Sequence, residues 1–503
     1  MQRDKRIDRR SFLQTTATAA SVSIVPSHVI AGLGHVQPSD RIHVANIGCG
    51  TQGIREMPEM FSHPNTVVTA ICDVNKYATG YRDWSPDGLR KGMQRALEDK
   101  AWGKHIKGIP GGLDVTKAYL EAYYAKNRPS GLFKGVQAYE DFNELLEKEK
   151  DVDVVKIMTP DHTHASIAIA AMNHGKHVVT HKPIANRMRE GRKVIDTVRK
   201  TGVKTHLMAW SEKPEYKKIL AWIKNGAIGT LKEIHNWSSR PVWPQWRSAP
   251  QESVPIPEGF NWDLWLGPVP HRPYHPNYTH NVFRGWYDFG GGSIADMGHY
   301  SLFPLFRIFG IDIPPTSAKA YGTTHRQIVD GVCRWVENDV AFPHSCMIKL
   351  EFPDQGDIGA FDFYWYDGGM KPFAPPELEA DGKDIAAEGI MFVGNEGKII
   401  GGFRGENPRI IPTAKMLAIQ GDEEVPKGER SNRTDVWARA VMDDKESPGS
   451  FLYADCVTEA INLAAIALRV GKKVFYNSEK MEITNDTSAN KYLTREYREG
   501  WEI

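Results

Sequence analysis

The sequence lacks an excess of charge of either sign, with 63 Lys and Arg against 62 Asp and Glu in 503 residues. That balance supplies no broad positive field for nucleic acid or an anionic membrane surface, so neither is an expected partner and a small molecule is. Cysteine is scarce. The five, Cys49, Cys72, Cys333, Cys346 and Cys456, show none of the paired spacing of a zinc site, and no metal is expected. They are expected as buried thiols, with a disulfide among the last three left open. The stretch Ala17 to Pro26 is apolar, but it is too short and too weakly hydrophobic to span a bilayer.

What is present begins with an address. Asp8-Arg9-Arg10-Ser11-Phe12-Leu13 precedes that mild apolar stretch, the pattern of a twin-arginine export signal. No cysteine follows it, so no lipid anchor is expected. Cleavage is expected between Ser27 and Pro38, and the mature protein is expected in the periplasm or secreted. With 1–38 set aside as signal and linker, the length calls for two domains, read here as 39–210 and 211–503.

The first domain alternates strands and helices. Arg41 to Ile47 is a β-branched apolar run that ends in Gly48-Cys49-Gly50-Thr51-Gln52-Gly53 and a helix-compatible stretch. Val67 to Cys72 is a second strand, ending in Asp73. A polar insertion at about 75–135 carries one expected helix, Val115 to Lys126. The strands Val152 to Met158, Val178 to Thr180 and Lys204 to Met208 then alternate with helices Thr163 to His174 and Arg187 to Lys200, which predicts a doubly wound parallel sheet. After about Trp210 the pattern changes to alternating segments: Leu231 to Ser238, Thr316 to Tyr321, Ser345 to Phe352, Gly359 to Tyr366 and Gly389 to Phe392. They predict an α+β domain with a large, mainly antiparallel open sheet, covered by helices Ile294 to Phe309, Thr434 to Met442 and Ala454 to Val470.

Glycines between a strand and a helix let backbone approach a pyrophosphate and turn helix N–H groups toward its charge. Gly48, Gly50, Thr51, Gln52 and Gly53 are therefore expected at a dinucleotide. Asp73, twenty positions beyond Gly53, is expected to accept hydrogen bonds from the adenosine ribose, and its charge favours NAD over NADP. Thr159-Pro160-Asp161-His162-Thr163-His164 follows a parallel strand, where ligands bind beyond the carboxyl ends. Thr159, Pro160, His162 and His164 are expected at the cofactor, and Asp161 as a helix N-cap.

Together with Lys182-Pro183, Gly175-Lys176-His177-Val178, Gly226-Ala227-Ile228-Gly229 and Gly292 to His299, these motifs resemble the Gfo/Idh/MocA family, relatives of glucose-fructose oxidoreductase and inositol dehydrogenase. The likeness runs from about Arg41 to the C-terminus. It implies a Rossmann domain followed by a substrate domain whose open sheet forms the interface of a homo-oligomer. It also implies a Glu-Lys-Pro lysine beside the nicotinamide and an Asp followed four residues later by His. The chain departs from both motifs. It reads His181-Lys182-Pro183, and Asp296 is followed by His299 three residues on, with Tyr300 in the usual place of the histidine.

Lys182 and His181 are expected at the cofactor, and Lys182, Asp296, His299 and Tyr300 carry the expected chemistry. On a helix Asp296 shares a face with Tyr300 and neighbours His299. His299, titrating near neutrality, is the favoured base, because Tyr300 needs a depressed pKa. The aromatic segment from Trp237 to Tyr287, with Arg240, Arg247, His280 and Arg284 interleaved, suits a carbohydrate. The leading expectation is NAD-dependent oxidation or reduction of a sugar hydroxyl, with the cofactor kept bound and recycled. Redox-assisted glycoside cleavage and a sugar-binding protein without chemistry are the alternatives.

Overall fold

In the computed structural model, residues 41–77, 80–127, 135–244, 246–380, 382–419 and 432–503 are described. The twin-arginine motif and its flank lie outside these residues. Ile42–Ile503 is one compact unit.

The first sheet has six parallel strands: β1 (Ile42–Ile47), β2 (Thr66–Cys72), β3 (Gln137–Tyr139), β4 (Val154–Ile157), β5 (His177–Thr180) and β6 (Thr205–Leu207), in the order β3-β2-β1-β4-β5-β6. Order reverses between β1 and β4, the crevice where an open parallel sheet binds its ligand. Helices α1 (Thr51–Phe61), α2 (Gly88–Leu97), α3 (Leu113–Asn127), α4 (Phe142–Lys148), α5 (His164–Asn173) and α6 (Met188–Thr201) connect the strands. The expected insertion thus holds two helices, α2 and α3, and ends in the edge strand β3.

Beyond α7 (Pro214–Lys224) come β7 (Leu231–Trp237), α8 (His299–Phe309), β8 (Ser317–Gly322), the hairpin β9 (His325–Val329) and β10 (Val332–Val336), β11 (Cys346–Phe352), β12 (Phe361–Tyr366), β13 (Gly389–Gly394), β14 (Lys398–Gly401), β15 (Arg409–Ile411), α9 (Arg433–Met442), α10 (Asp455–Val470), β16 (Val474–Asn477) and β17 (Glu482–Ile483). Apart from the hairpin, these strands form one nine-stranded sheet, antiparallel except where β7 pairs β12. Burial alternates strictly along β11, so one face lies against helices.

One apolar cluster runs from Val155 and Val178 of the first sheet through Ile195 of α6 and Ala460 of α10 to Ile348 of β11. The two sheets therefore hold a fixed crevice between them. Three expectations are corrected. Helix α9 does not cover the second sheet: Trp437 is buried in the Rossmann core with Met57 and Met60, and Arg433 pairs with Glu59 of α1. An amphipathic face reports that it is covered, but not by which layer. The expected helix 294–309 begins with a π-helical turn, Ile294–Gly298, before α8. All five cysteines are free, and Cys333, on β10, is exposed rather than buried.

Candidate active site

A cavity of about 450 Å³ opens over the crevice. Its first wall is the β1–α1 turn: Gly48, Gly50, Thr51, Gln52 and Gly53 all line it. Gly48 sits at φ +101°, and a Cβ there would lie 2.5 Å from the carbonyl carbon of Met158. A Cβ on Gly53 would fall on the carbonyl oxygen of Gly48. Helix α1 has no side-chain cap and no acidic residue in its first turn, so its amide N–H groups are left for an anion. A cradle that side chains would fill and an uncapped helix end fit the pyrophosphate of a dinucleotide.

Asp73 also lines the cavity. It accepts from the backbone N–H of Cys49 at 2.5 Å and of Asn75 at 2.7 Å. Burial pushes its carboxyl up to about 6, against those two hydrogen bonds, which hold it down. Glu140 and Asp141 lie on the same wall, as does Trp501 of the C-terminal tail, which packs on Phe142 of α4.

The other end is built of side chains. Lys182, on the loop after β5, is buried and donates from Nζ to Asp296 Oδ1 at 2.6 Å. Asp296 comes from the π-helical turn, and Arg284 reaches the same oxygen at 3.0 Å. Burial alone lifts the Asp296 carboxyl, but Lys182 and then Arg284 outweigh it and hold it well below the usual carboxylate range. For Lys182, burial is the largest influence and lowers its pKa, while Asp296 pulls it partly back. The Tyr300 ring lies 4.9 Å beneath the Lys182 ammonium, and its hydroxyl shares a 2.8 Å hydrogen bond with His181 Nε2. Burial, then Glu56 and Asp296, raise the phenol's pKa, and burial lowers that of His181, so both stand neutral.

The expected residues thus separate. Lys182, Asp296, Tyr300, His181, Thr159, Pro160, Asp73 and the glycine turn share one cavity. His162, His164 and His299 do not line it, which corrects all three expectations. His162 lies within, and His164 directly after, a 3₁₀ turn, Asp161–Thr163, that directs them inward. There His162 Nε2 meets the carbonyl of Trp265 at 2.8 Å, and His164 meets those of Pro183 at 2.5 Å and Thr159 at 2.8 Å. Buried imidazoles need such partners, and here they fasten the loops that carry Thr159 and Lys182. His299, fully buried, turns Nδ1 back to the Ala295 carbonyl at 2.8 Å, and burial takes its pKa down to about 3. The turn that presents Asp296 and Tyr300 to the cavity leaves His299 behind it. Nor is Asp161 an N-cap: it accepts from the Gly291 N–H at 3.1 Å, joining β4 to the start of the Asp296 segment.

Sequence reasoning missed Glu56 and Lys156. The family's carboxylate before the lysine is absent, but Glu56 of α1 brings a carboxylate to within 3.7 Å of His181 Nε2. Although burial alone would raise it, Lys156 at 3.2 Å, with Arg433 behind it, holds it at about 2. The signal was present: Glu56 stands on an otherwise apolar stripe of α1, and Lys156 interrupts the apolar run of β4. Two charges at core positions call for each other. Arg240, Arg284, Arg404 and Arg433 complete the wall, whereas most of the aromatic segment, including Trp262, Tyr274, Tyr278 and Trp286, packs as a core of its own.

The profile of the oxidoreductase family NAD-binding Rossmann fold matches residues 122–208, and that of the family's C-terminal alpha/beta domain matches 216–362 and 373–503. Levoglucosan dehydrogenase of Pseudarthrobacter phenanthrenivorans is 34% identical over 115 residues, 21% of this chain and 29% of that protein. A glycosyl hydrolase family 109 protein of Shewanella pealeana is 26% identical over 245 residues, 45% of this chain and 44% of that one. These alignments span less than half the length of either relative. The crystal structure of the WlbA dehydrogenase from Bordetella pertussis with NADH and UDP-GlcNAcA covers 87% of this chain and 99% of its own at 15% identity and a TM-score of 0.50, a likeness of fold. With its NAD-binding Rossmann domain and the C-terminal domain matched over more than half its length, the chain belongs to the Gfo/Idh/MocA oxidoreductase family.

Proposed function

We propose that the protein oxidises or reduces a hydroxyl-bearing carbon of a sugar or glycoside with NAD. The observation that carries this is the convergence of Lys182, Asp296 and the Tyr300 hydroxyl in the cavity that also contains the glycine turn. The turn and Asp73 would hold the dinucleotide by its pyrophosphate and adenosine ribose. When bound, NAD accepts or returns the hydride of the carbinol carbon. Lys182, its ammonium disfavoured by burial, takes the hydroxyl proton as the carbon is oxidised. Asp296 fixes the Lys182 amine in place. Tyr300, a neutral phenol oriented by His181, hydrogen-bonds the same substrate hydroxyl.

The twin-arginine leader supports export to the periplasm, where a bound and internally recycled cofactor is the consistent arrangement. The open face of the nine-stranded sheet, with Lys349, Asp362 and Tyr364, is the surface we assign to homo-oligomer formation. A second reading is transient oxidation that permits glycoside cleavage and then returns the hydride. The glycosyl hydrolase family 109 relative supports it. Denaturing the purified protein and identifying the released nucleotide by mass tests the cofactor. A panel of free sugars and glycosides then separates the readings: NADH or a keto sugar supports the dehydrogenase, and free sugar without net NADH supports cleavage. If no nucleotide is retained or bound on addition, both readings fail.

A further inference from the structure

We infer that the sugar carries an anionic group, a carboxylate or a phosphate, which Arg240 and Arg404 receive. The inference rests on the proposed function, because it concerns the same cavity. Charge along that cavity is segregated. Asp73, Glu140 and Asp141 line the nucleotide end, whereas the far end presents Lys182, Arg240, Arg284, Arg404 and Arg433 around Asp296; Arg82 and Asp83 line the cavity as well, Asp83 being paired with Arg55.

Three of these cations are spent within the protein. Lys182 and Arg284 share Asp296, and Arg433 pairs with Glu59 at 3.0 Å and Glu56 at 3.5 Å. Arg240 and Arg404 have no carboxylate at ion-pair distance among the described residues. Glu388, near Arg240, is occupied by Ser238 and by Ser239, with hydrogen bonds of 2.9 Å. Glu406 accepts instead from the backbone N–H of Arg404 at 2.7 Å.

Each guanidinium is backed by a ring: Arg240 lies over Trp84 at 4.8 Å and Arg404 over Tyr300 at 4.9 Å. Nε of Arg240 is buried without a hydrogen-bond partner. A guanidinium supported on its face keeps its N–H edge for a planar acceptor, the geometry that suits carboxylate or phosphate oxygens. Because the ring under Arg404 is that of Tyr300, the anion would lie on the side of the reacting hydroxyl. Trp243 and Phe283 supply an apolar wall for the sugar's C–H face. Oxidised nicotinamide adds further positive charge, so a neutral sugar would leave this end of the cavity with uncompensated cations and an anionic one would not.

The test is calorimetric titration of the NAD-loaded protein with hexuronates, hexose 6-phosphates and their neutral parent hexoses in the gluco, galacto and manno series. The expected result is an anionic sugar that binds about tenfold or more tightly than its parent. A preference for the uronate identifies a carboxylate, and one for the 6-phosphate identifies a phosphate. Arg404→Gln should abolish the preference and Arg404→Lys restore part of it, with NADH affinity, read by fluorescence, unchanged in both. The inference is overturned if no anionic sugar exceeds its parent, or if Arg404→Gln keeps the preference. It is also overturned if Arg240→Gln and Arg404→Gln weaken NADH instead of sugar, which would assign both side chains to the pyrophosphate. Turnover is read separately, as NADH absorbance, so an anionic sugar that binds tightly and is never oxidised would defeat the oxidoreductase reading alone.

Discussion

At the glycine turn the cavity wall is backbone from neighbouring strands of one sheet: the Cys49 N–H meets Asp73 at the end of β2, and Gly48 packs on Met158 at the end of β4. At the Lys182 end the wall is side chains from distant segments, with Lys182 and Asp296 separated by 114 residues and His181 and Tyr300 by 119. One end is built within the first sheet, the other by how the two sheets are packed. Changes at the first should therefore alter nucleotide affinity and spare the chemistry, and changes at the second should do the reverse.

The largest expected effect tests the second half of that statement. Asp296→Asn removes the counterion of Lys182 and Arg284, and turnover should fall roughly 10²- to 10⁴-fold with NAD affinity nearly unchanged. Because Asp296 raises the Lys182 pKa, the rise of residual oxidation with pH should move to lower pH, which a merely structural role would not produce. Gly48→Ala tests the first half. A Cβ at φ +101°, 2.5 Å from Met158, should cost about 1–3 kcal/mol in stability and about ten- to a hundredfold in NADH affinity. Thermal unfolding and fluorescence titration measure the two, and turnover at saturating NAD should survive.

Tyr300→Phe should lower turnover about tenfold and leave nucleotide binding intact, since it removes one hydrogen bond to the reacting hydroxyl. The smallest effect returns to the nucleotide end. Asp73, with its carboxyl at about 6, accepts ribose hydroxyls best when ionised. NADH affinity should therefore be flat above that pH and weaken by about twofold at pH 6, and Asp73→Asn should remove the dependence. Loss of turnover in Gly48→Ala at saturating NAD, or of NADH binding in Asp296→Asn, would break the separation between the two ends.

The same contrast explains what the sequence could show. Strand, glycine turn, helix and the closing Asp73 are contiguous or nearly so, and the alternation of β11 announces a half-covered sheet without reference to its neighbours. Lys182, Asp296 and Tyr300 were legible through family motifs. Choosing between Tyr300 and His299 needed the backbone, because helical spacing was assumed where a π-helical turn stands. His162 and His164 follow a strand end that normally faces ligand, and only the 3₁₀ turn shows that they point inward. The carboxylate lost from the position before Lys182 returns from α1 as Glu56, a substitution in space that a linear motif does not record.

The most direct test of the account is a single-turnover measurement of hydride transfer to bound NAD in Lys182→Met beside the unchanged protein, with a substrate found in the panel. The account predicts equal nucleotide content and a transfer rate about 10²- to 10⁴-fold lower in the variant. Transfer at the original rate would contradict it.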